Sequence, residues 1–504
     1  MAKSLGRGLR LGLGIALTWA GSTFAAQPPN IVFILADDLD AAAASKMEQV
    51  KALITDPGAS FQKHYVNVSL CCPSRVSTLR GQFAHNTTIY GNNAPNGGFE
   101  GTYNKGIESS TVVTWLQDAG YRTAMVGKYL NGYPNTAPSD TYIPPGWTEW
   151  YSPNGGSPYS QFDYQLNENG TSVSYGHADA DYLTDVISDK AVDFIRRSVT
   201  DHPTQPFFAY VATYAPHLPA TPAPRHADAL PGLQAPRTNS FNEADVSDKP
   251  AWVRDAPLLT DGQVALIDEQ YRKRRQSLLA VDELVKRVID TLTELGQLEN
   301  TYVFFTSDNG YHQGQHRLES GKMTAYEEDL LIPLSVRGPG VKPTATITAL
   351  TANVDYAPTF VEIASAMQPD WVDGRSLVPL FKGSTVGPWR QALMISHGEV
   401  DKGTARALRY AGLLEPDDPF DKSAQATIIP MFKGLRTADD FTYVAYLNGE
   451  YELYENTKDL RQLRNRYEGA SERQRAKMAS WLEAIDGTGG AALRAAEERP
   501  PKGH

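Results

Sequence analysis

The sequence predicts an α/β fold with a mainly parallel central sheet, and three observations carry that prediction. Apolar runs of strand length recur along the chain, amphipathic stretches of helical period separate them, and each run ends on polar or charged residues. A run without polar alternation marks a strand covered on both faces, as parallel strands are when helices lie above and below the sheet. Strand and helix in alternation require the crossover connections of a parallel sheet.

Taken in order, residues 1–26 carry Lys3, Arg7 and Arg10, then an apolar run from Leu11 to Ala20, then small residues at Ala25 and Ala26. This is the pattern of a secretory signal peptide, and the run is shorter than the roughly 20 residues a membrane span needs. No later run is long and charge-free enough, so no stable membrane insertion and a secreted or periplasmic location are expected. The whole chain has a net charge of -11, and losing those three basic residues leaves -14, which argues against a nucleic-acid surface. About 480 remaining residues exceed what one core usually serves, so a main domain with a smaller appendage is expected.

The first strand candidate, Asn30-Ile31-Val32-Phe33-Ile34-Leu35-Ala36, stops at Asp37 and Asp38. Three others behave alike: Thr123-Ala124-Met125-Val126-Gly127 meets Lys128, Pro206-Phe207-Phe208-Ala209-Tyr210-Val211-Ala212 leads to Pro216 and His217, and Tyr302-Val303-Phe304-Phe305-Thr306 leads to Asp308 and Asn309. Helical patterns lie at 112–119, 182–197 and 263–295, the last with a stripe through Leu278, Leu279, Val281, Leu284, Val285, Val288 and Leu292. Ligands of open parallel sheets bind beyond the carboxyl ends of the strands, so these polar termini should converge. Adjacent aspartates are also common in turns. Converged, however, Asp37, Asp38, Asp308 and Asn309 would make a hard oxygen set suited to Ca2+ or Mg2+.

From about residue 385 the character changes to short strand-like runs divided by turn residues, which predicts a small antiparallel sheet over 385–486 with a closing helix at 471–485. Residues 487–504 read as a loose tail. Everything from 27 to 384 is assigned to the main domain.

The only two cysteines stand side by side in Cys71-Cys72-Pro73-Ser74-Arg75-Val76-Ser77-Thr78-Leu79-Arg80-Gly81. A crosslink between neighbours is strained, so stapling is a poor explanation for them. Pro73 suits a first helical position, which makes this a loop delivering a cysteine to a helix start, where backbone N–H groups favour an anion.

These residues resemble the signature Cys-x-Pro-Ser-Arg-x-x-x-Leu-x-Gly of the type I sulfatases, with Arg80 where threonine is usual. Together with Gly127-Lys128-Tyr129-Leu130-Asn131 and the 308–318 loop, they are most similar to the branch holding N-acetylglucosamine-6-sulfatases and heparan-sulfate sulfatases. The resemblance implies an alkaline-phosphatase-like fold and a sulfuric ester hydrolase acting on a sulfated sugar, such as a 6-O-sulfated glucosamine, or on an aryl sulfate. It implies that a formylglycine-generating enzyme converts Cys71 to formylglycine, whose hydrated form attacks sulfur. It also implies calcium held by Asp37, Asp38, Cys71, Asp308 and Asn309, with magnesium as the other candidate. Arg75 matches the arginine supporting the hydrated aldehyde, Lys128 and Lys322 the sulfate-binding lysines, and His217 the acid that protonates the leaving oxygen. Many sulfatases have Gly-Lys-x-His, but Leu130 stands here in place of that histidine. His312 and His316 are candidates for its task and for contacting substrate. The sequence also leaves room for a phosphonate or phosphate ester hydrolase of the same superfamily, and for a glycan-binding relative without catalysis.

Overall fold

A computed structural model describes residues 1–2, 28–384, 387–398 and 429–501; the expected signal peptide lies almost entirely outside them. Ten strands form one twisted sheet, in the order Ala345–Ile347, Ala59–Phe61, Leu334–Arg337, Thr301–Ser307, Asn30–Ala36, Phe207–Ala212, Arg122–Gly127, Glu149–Gly156, Tyr164–Glu168 and Thr171–Tyr175. Its centre is parallel: Asn30–Ala36 pairs in parallel with Thr301–Ser307 on one side and Phe207–Ala212 on the other, and Arg122–Gly127 extends that set. Antiparallel pairing is confined to the flanks.

The central strand explains the continuous apolar run. Ile31, Phe33 and Leu35 pack into one core with Val76, Leu116 and Phe360, while Val32, Ile34 and Ala36 pack into another with Ile187, Val281 and Val285. Both alternating sets are buried because helices cover both faces. Cys71–Arg80, Val112–Asp118 and Tyr356–Ala364 cover the first face, Leu183–Thr200 and Asp261–Glu294 the second.

The second sheet has four antiparallel strands, Ala392–His397, Phe432–Thr437, Phe441–Tyr446 and Tyr451–Glu455, backed by the helix Glu472–Asp486. Its far end corrects one expectation. Residues 490–497 are not a loose tail but a helix, Gly490–Glu497, docked into the body. Leu493 is buried, Trp481 Nε1 donates to Ala496 O at 2.8 Å, and the buried Glu497 carboxylate accepts from Arg390 Nε at 2.7 Å. Arg390 also binds both oxygens of Asp355 at 2.6 and 2.9 Å, so a charge network ties the chain end to the main domain.

Candidate active site

The polar strand ends do meet. Asp37 and Asp38 follow Asn30–Ala36, Lys128 follows Arg122–Gly127, His217 lies five residues beyond Phe207–Ala212, and Asp308 with Asn309 follows Thr301–Ser307. Backbone bonds fix the junctions. Asp38, in the left-handed region at φ 65°, donates its N–H to Asp308 Oδ1 at 3.0 Å, and Lys128 N donates to Ala212 O at 2.9 Å. Gly127 allows that approach: at φ 106° a Cβ there would lie 1.8 Å from Ala212 O.

Cys71 arrives from the opposite direction as the first residue of Cys71–Arg80, after an extended Leu70. Pro73 is thus the third helical residue rather than the first, which costs no hydrogen bond because first-turn N–H groups have no intrahelical acceptor. Cys72 N donates to Asn92 Oδ1 at 3.0 Å, and Ser74 Oγ donates to Asp308 O at 2.5 Å, so the helix start is anchored to the sheet end. Asn92 comes from a loop rich in Gly and Asn at residues 91–98; it is buried and serves this anchor.

Around Cys71 the charges alternate. Its Sγ lies 3.4 Å from Asp37 Oδ1, 3.8 Å from Asp38 Oδ1 and 3.0 Å from Lys322 Nζ. Lys322 Nζ binds Asp38 at 2.8 Å, Lys128 Nζ binds Asp37 at 2.6 Å, and Arg75 binds Asp308 Oδ2 through Nε and Nη2, each at 2.8 Å. Burial alone would raise the Asp308 carboxyl, but the Arg75 guanidinium, with Lys128 and Lys322, holds it below the usual carboxylate range. Burial pushes the neighbouring Cys72 thiol up to about 12, which leaves it protonated and inert.

This donor set fits a divalent cation. Asp37, Asp38, Cys71 and Asp308 each offer a ligand atom within 4.8 Å of the others, and the buried Asn309 Oδ1 has no hydrogen-bond partner among the described residues. Asn309 spends its Nδ2 on Asp38 Oδ1 at 2.6 Å, which leaves the amide oxygen as a further hard donor.

His217 is buried with Nε2 3.5 Å from Asp38 Oδ2, and its Nδ1 donates to Leu218 O at 2.8 Å. Its ring lies 4.6 Å from that of Tyr159, over which Lys128 Nζ sits at 4.8 Å. Tyr159 lies in a stretch where Trp147, Trp150, Tyr151, Tyr159 and Tyr164 crowd together, but their spacing gives no sign of this contact. Leu130, where the second histidine would fall, is buried and apolar, so that position offers no proton acceptor.

The two loop histidines part company. His312 lines a cavity of about 530 Å³ that also receives Trp252, Glu319, Gly321 and Lys322. His316 is fully buried, with Nδ1 2.6 Å from Glu243 Oε2 and its ring stacked 4.0 Å from Tyr326. Burial lowers its pKa far below the usual value. Having no exposed surface, His316 braces the loop rather than contacting substrate, which corrects the sequence expectation.

Next to Lys128, Tyr129 Oη donates to the buried Glu108 at 2.7 Å, and burial raises the Glu108 carboxyl from 4.5 to about 7. The folded protein therefore keeps a proton that the unfolded chain has shed, and the stability this gives is lost as pH rises through that window. Glu108→Gln, neutral throughout, is expected to flatten the fall of melting temperature between about pH 4.5 and 7. A slope equal to that of the wild type would contradict this.

A family model described as Sulfatase matches residues 29–366. The chain belongs to the sulfatase family. This sulfatase is 37% identical to human N-acetylglucosamine-6-sulfatase over 77% of its own length and 71% of that protein's. It is 32% identical to an arylsulfatase of Chlamydomonas reinhardtii over 91% of its length and 74% of the relative's. Among solved structures, it superposes with a TM-score of 0.71 on one described as a complex with its substrate D-glucosamine-2-N,6-O-disulfate, at 24% identity over 91% of this chain and 97% of that one. The match confirms the alkaline-phosphatase-like fold, and membership makes the chain a sulfuric ester hydrolase.

Proposed function

We propose that this sulfatase releases inorganic sulfate from a sulfated sugar of the 6-O-sulfated glucosamine kind, with Cys71 converted to formylglycine and a calcium ion held by Asp37, Asp38, Asp308 and Asn309. The observation that carries this reading is the placement of Cys71 at a helix start, against Lys322 Nζ at 3.0 Å and Asp37 Oδ1 at 3.4 Å. A plain structural thiol needs no such ring of charges. Converted in this way, residue 71 would supply the nucleophilic oxygen, and a cation held by Asp37, Asp38, Asp308 and Asn309 would neutralise charge on the sulfate oxygens.

The other roles fall to the chain itself. Lys128 and Lys322 bring ammonium groups to opposite aspartates, where they attract and orient a tetrahedral anion. Arg75 keeps Asp308 ionised and turned toward the cation site. His217, with Nδ1–H committed to Leu218 O, presents Nε2 to the site and, when protonated there as the imidazolium, delivers that proton to the departing oxygen. The similarity to N-acetylglucosamine-6-sulfatase supports the sugar, and the leader, with Lys3, Arg7 and Arg10 ahead of an apolar run, supports a secreted or periplasmic location.

The test is sulfate release from glucosamine 6-sulfate, alongside matched aryl sulfate and aryl phosphate esters. Sulfate turnover that disappears with a chelator and returns with calcium is the expected result. Faster turnover of the phosphate ester would overturn the sulfatase reading of the site, and chelator-insensitive turnover would overturn the metal.

A further inference from the structure

Asp329 was not singled out in the sequence, yet it organises the wall of the cavity beside Lys322. Its fully buried carboxylate places both oxygens 3.0 Å from His312 Nδ1. One of them also accepts from Thr324 N at 2.9 Å and Thr324 Oγ1 at 2.6 Å. Backbone bonds add to this: Gly310 N donates to Asp329 O at 2.9 Å, and His312 and Gly321 pair across a short antiparallel bridge. One carboxylate therefore holds the loop bearing His312 against the loop bearing Lys322.

An ionised carboxylate can only accept, so His312 Nδ1 must be the donor. In the neutral imidazole this makes Nε2 the acceptor. Among the described residues His312 bonds through Nδ1 alone, and its other edge faces Gly321, where a Cβ would come within 3.0 Å of Nε2. Gly321 thus leaves room for the imidazole in the cavity wall, one residue from Lys322. Trp252 and Glu319 complete a lining of apolar ring and hydrogen-bonding groups.

We propose that Asp329 is a positioning residue that fixes the tautomer of His312, so that Nε2 accepts a hydroxyl from the sugar carrying the sulfate and favours hydroxylated esters over simple aryl esters. This rests on the sulfatase reading above. A carboxylate that orients an imidazole by holding one nitrogen is a general device, and replacing it with an amide turns the ring to the wrong tautomer.

The test is Asp329→Asn. With its amide oxygen kept on Thr324, its NH2 takes the place of the other oxygen facing His312 Nδ1, which favours the tautomer with its proton on Nε2 and removes the acceptor. The readout is the ratio of kcat/KM for glucosamine 6-sulfate to that for an aryl sulfate without hydroxyls, measured in calcium-loaded, formylglycine-bearing enzyme. A lost hydrogen bond predicts a fall in that ratio of about tenfold, carried mainly by KM. His312→Ala should lower the ratio as much, and adding Asp329→Asn to it should change little more. An equal fall on both substrates, or additive effects in the double variant, would show a purely structural Asp329 and overturn the proposal. Failure of the wild type to hydrolyse any sulfate ester would instead overturn the underlying reading. Crosspeaks of 15N-labelled histidine supply a readout independent of turnover: the His312 tautomer should switch in Asp329→Asn, and an unchanged tautomer would also overturn the proposal.

Discussion

Replacing Cys71 by alanine is expected to abolish sulfate release, a loss of about 10⁴-fold or more, because it removes the proposed nucleophile. The substitution takes away one buried sulfur and leaves the aspartates, lysines and Arg75 in place, so its effect on stability should stay near 1 kcal/mol. The informative control is the neighbour. Cys72 is equally buried, but its backbone N–H is tied to Asn92 and its thiol stays protonated, so Cys72→Ala should keep most of the turnover. Sulfate release and thermal melting of the two variants decide the matter. Comparable turnover in Cys71→Ala and Cys72→Ala would remove the nucleophile from the account.

Arg75→Ala should unfold the site itself. The guanidinium is 1% exposed and meets Asp308 at 2.8 Å, Asp37 at 3.6 Å and Lys128 O at 2.7 Å. Removing it leaves two buried carboxylates short of a partner, and breaking a buried ion pair from one side typically costs about 3–5 kcal/mol. The denaturant midpoint should fall accordingly, and turnover should vanish because Asp308 is no longer held toward the cation site. Arg75→Lys should recover little, since an ammonium cannot span Asp308 through two nitrogens and reach Lys128 O with a third. A wild-type midpoint for Arg75→Ala would contradict the ion-pair argument.

The parts of this site that the sequence revealed are those at strand ends. Asp37, Asp38, Lys128 and Asp308 each end an apolar run, and the rule that parallel sheets bind ligands at their carboxyl ends was enough to group them across 270 residues. The parts it concealed act sideways. Asp329 lies in Tyr326-Glu327-Glu328-Asp329, where three acids in a row look like a solvated turn. Only the fold shows that Asp329 alone among them is fully buried and turned onto His312. Tyr159 was visible as one aromatic among several, and its contact with His217 depends on the flanking strand Glu149–Gly156, whose position no local pattern encodes. His316 misled for the same reason: a histidine in a polar loop gives no hint that Tyr326 and Glu243 enclose it. At the chain end, small residues and mixed charge read as disorder. Arg390, more than a hundred residues earlier, turns Glu497 into an anchor.

The most direct test of the central claim is the mass of the tryptic peptide covering residues 64–75, taken from protein that hydrolyses sulfate esters. The account predicts a peptide lighter by the difference between a thiol-bearing methylene and an aldehyde, with Cys72 unchanged. Fully active protein carrying an unmodified thiol at Cys71 would contradict it.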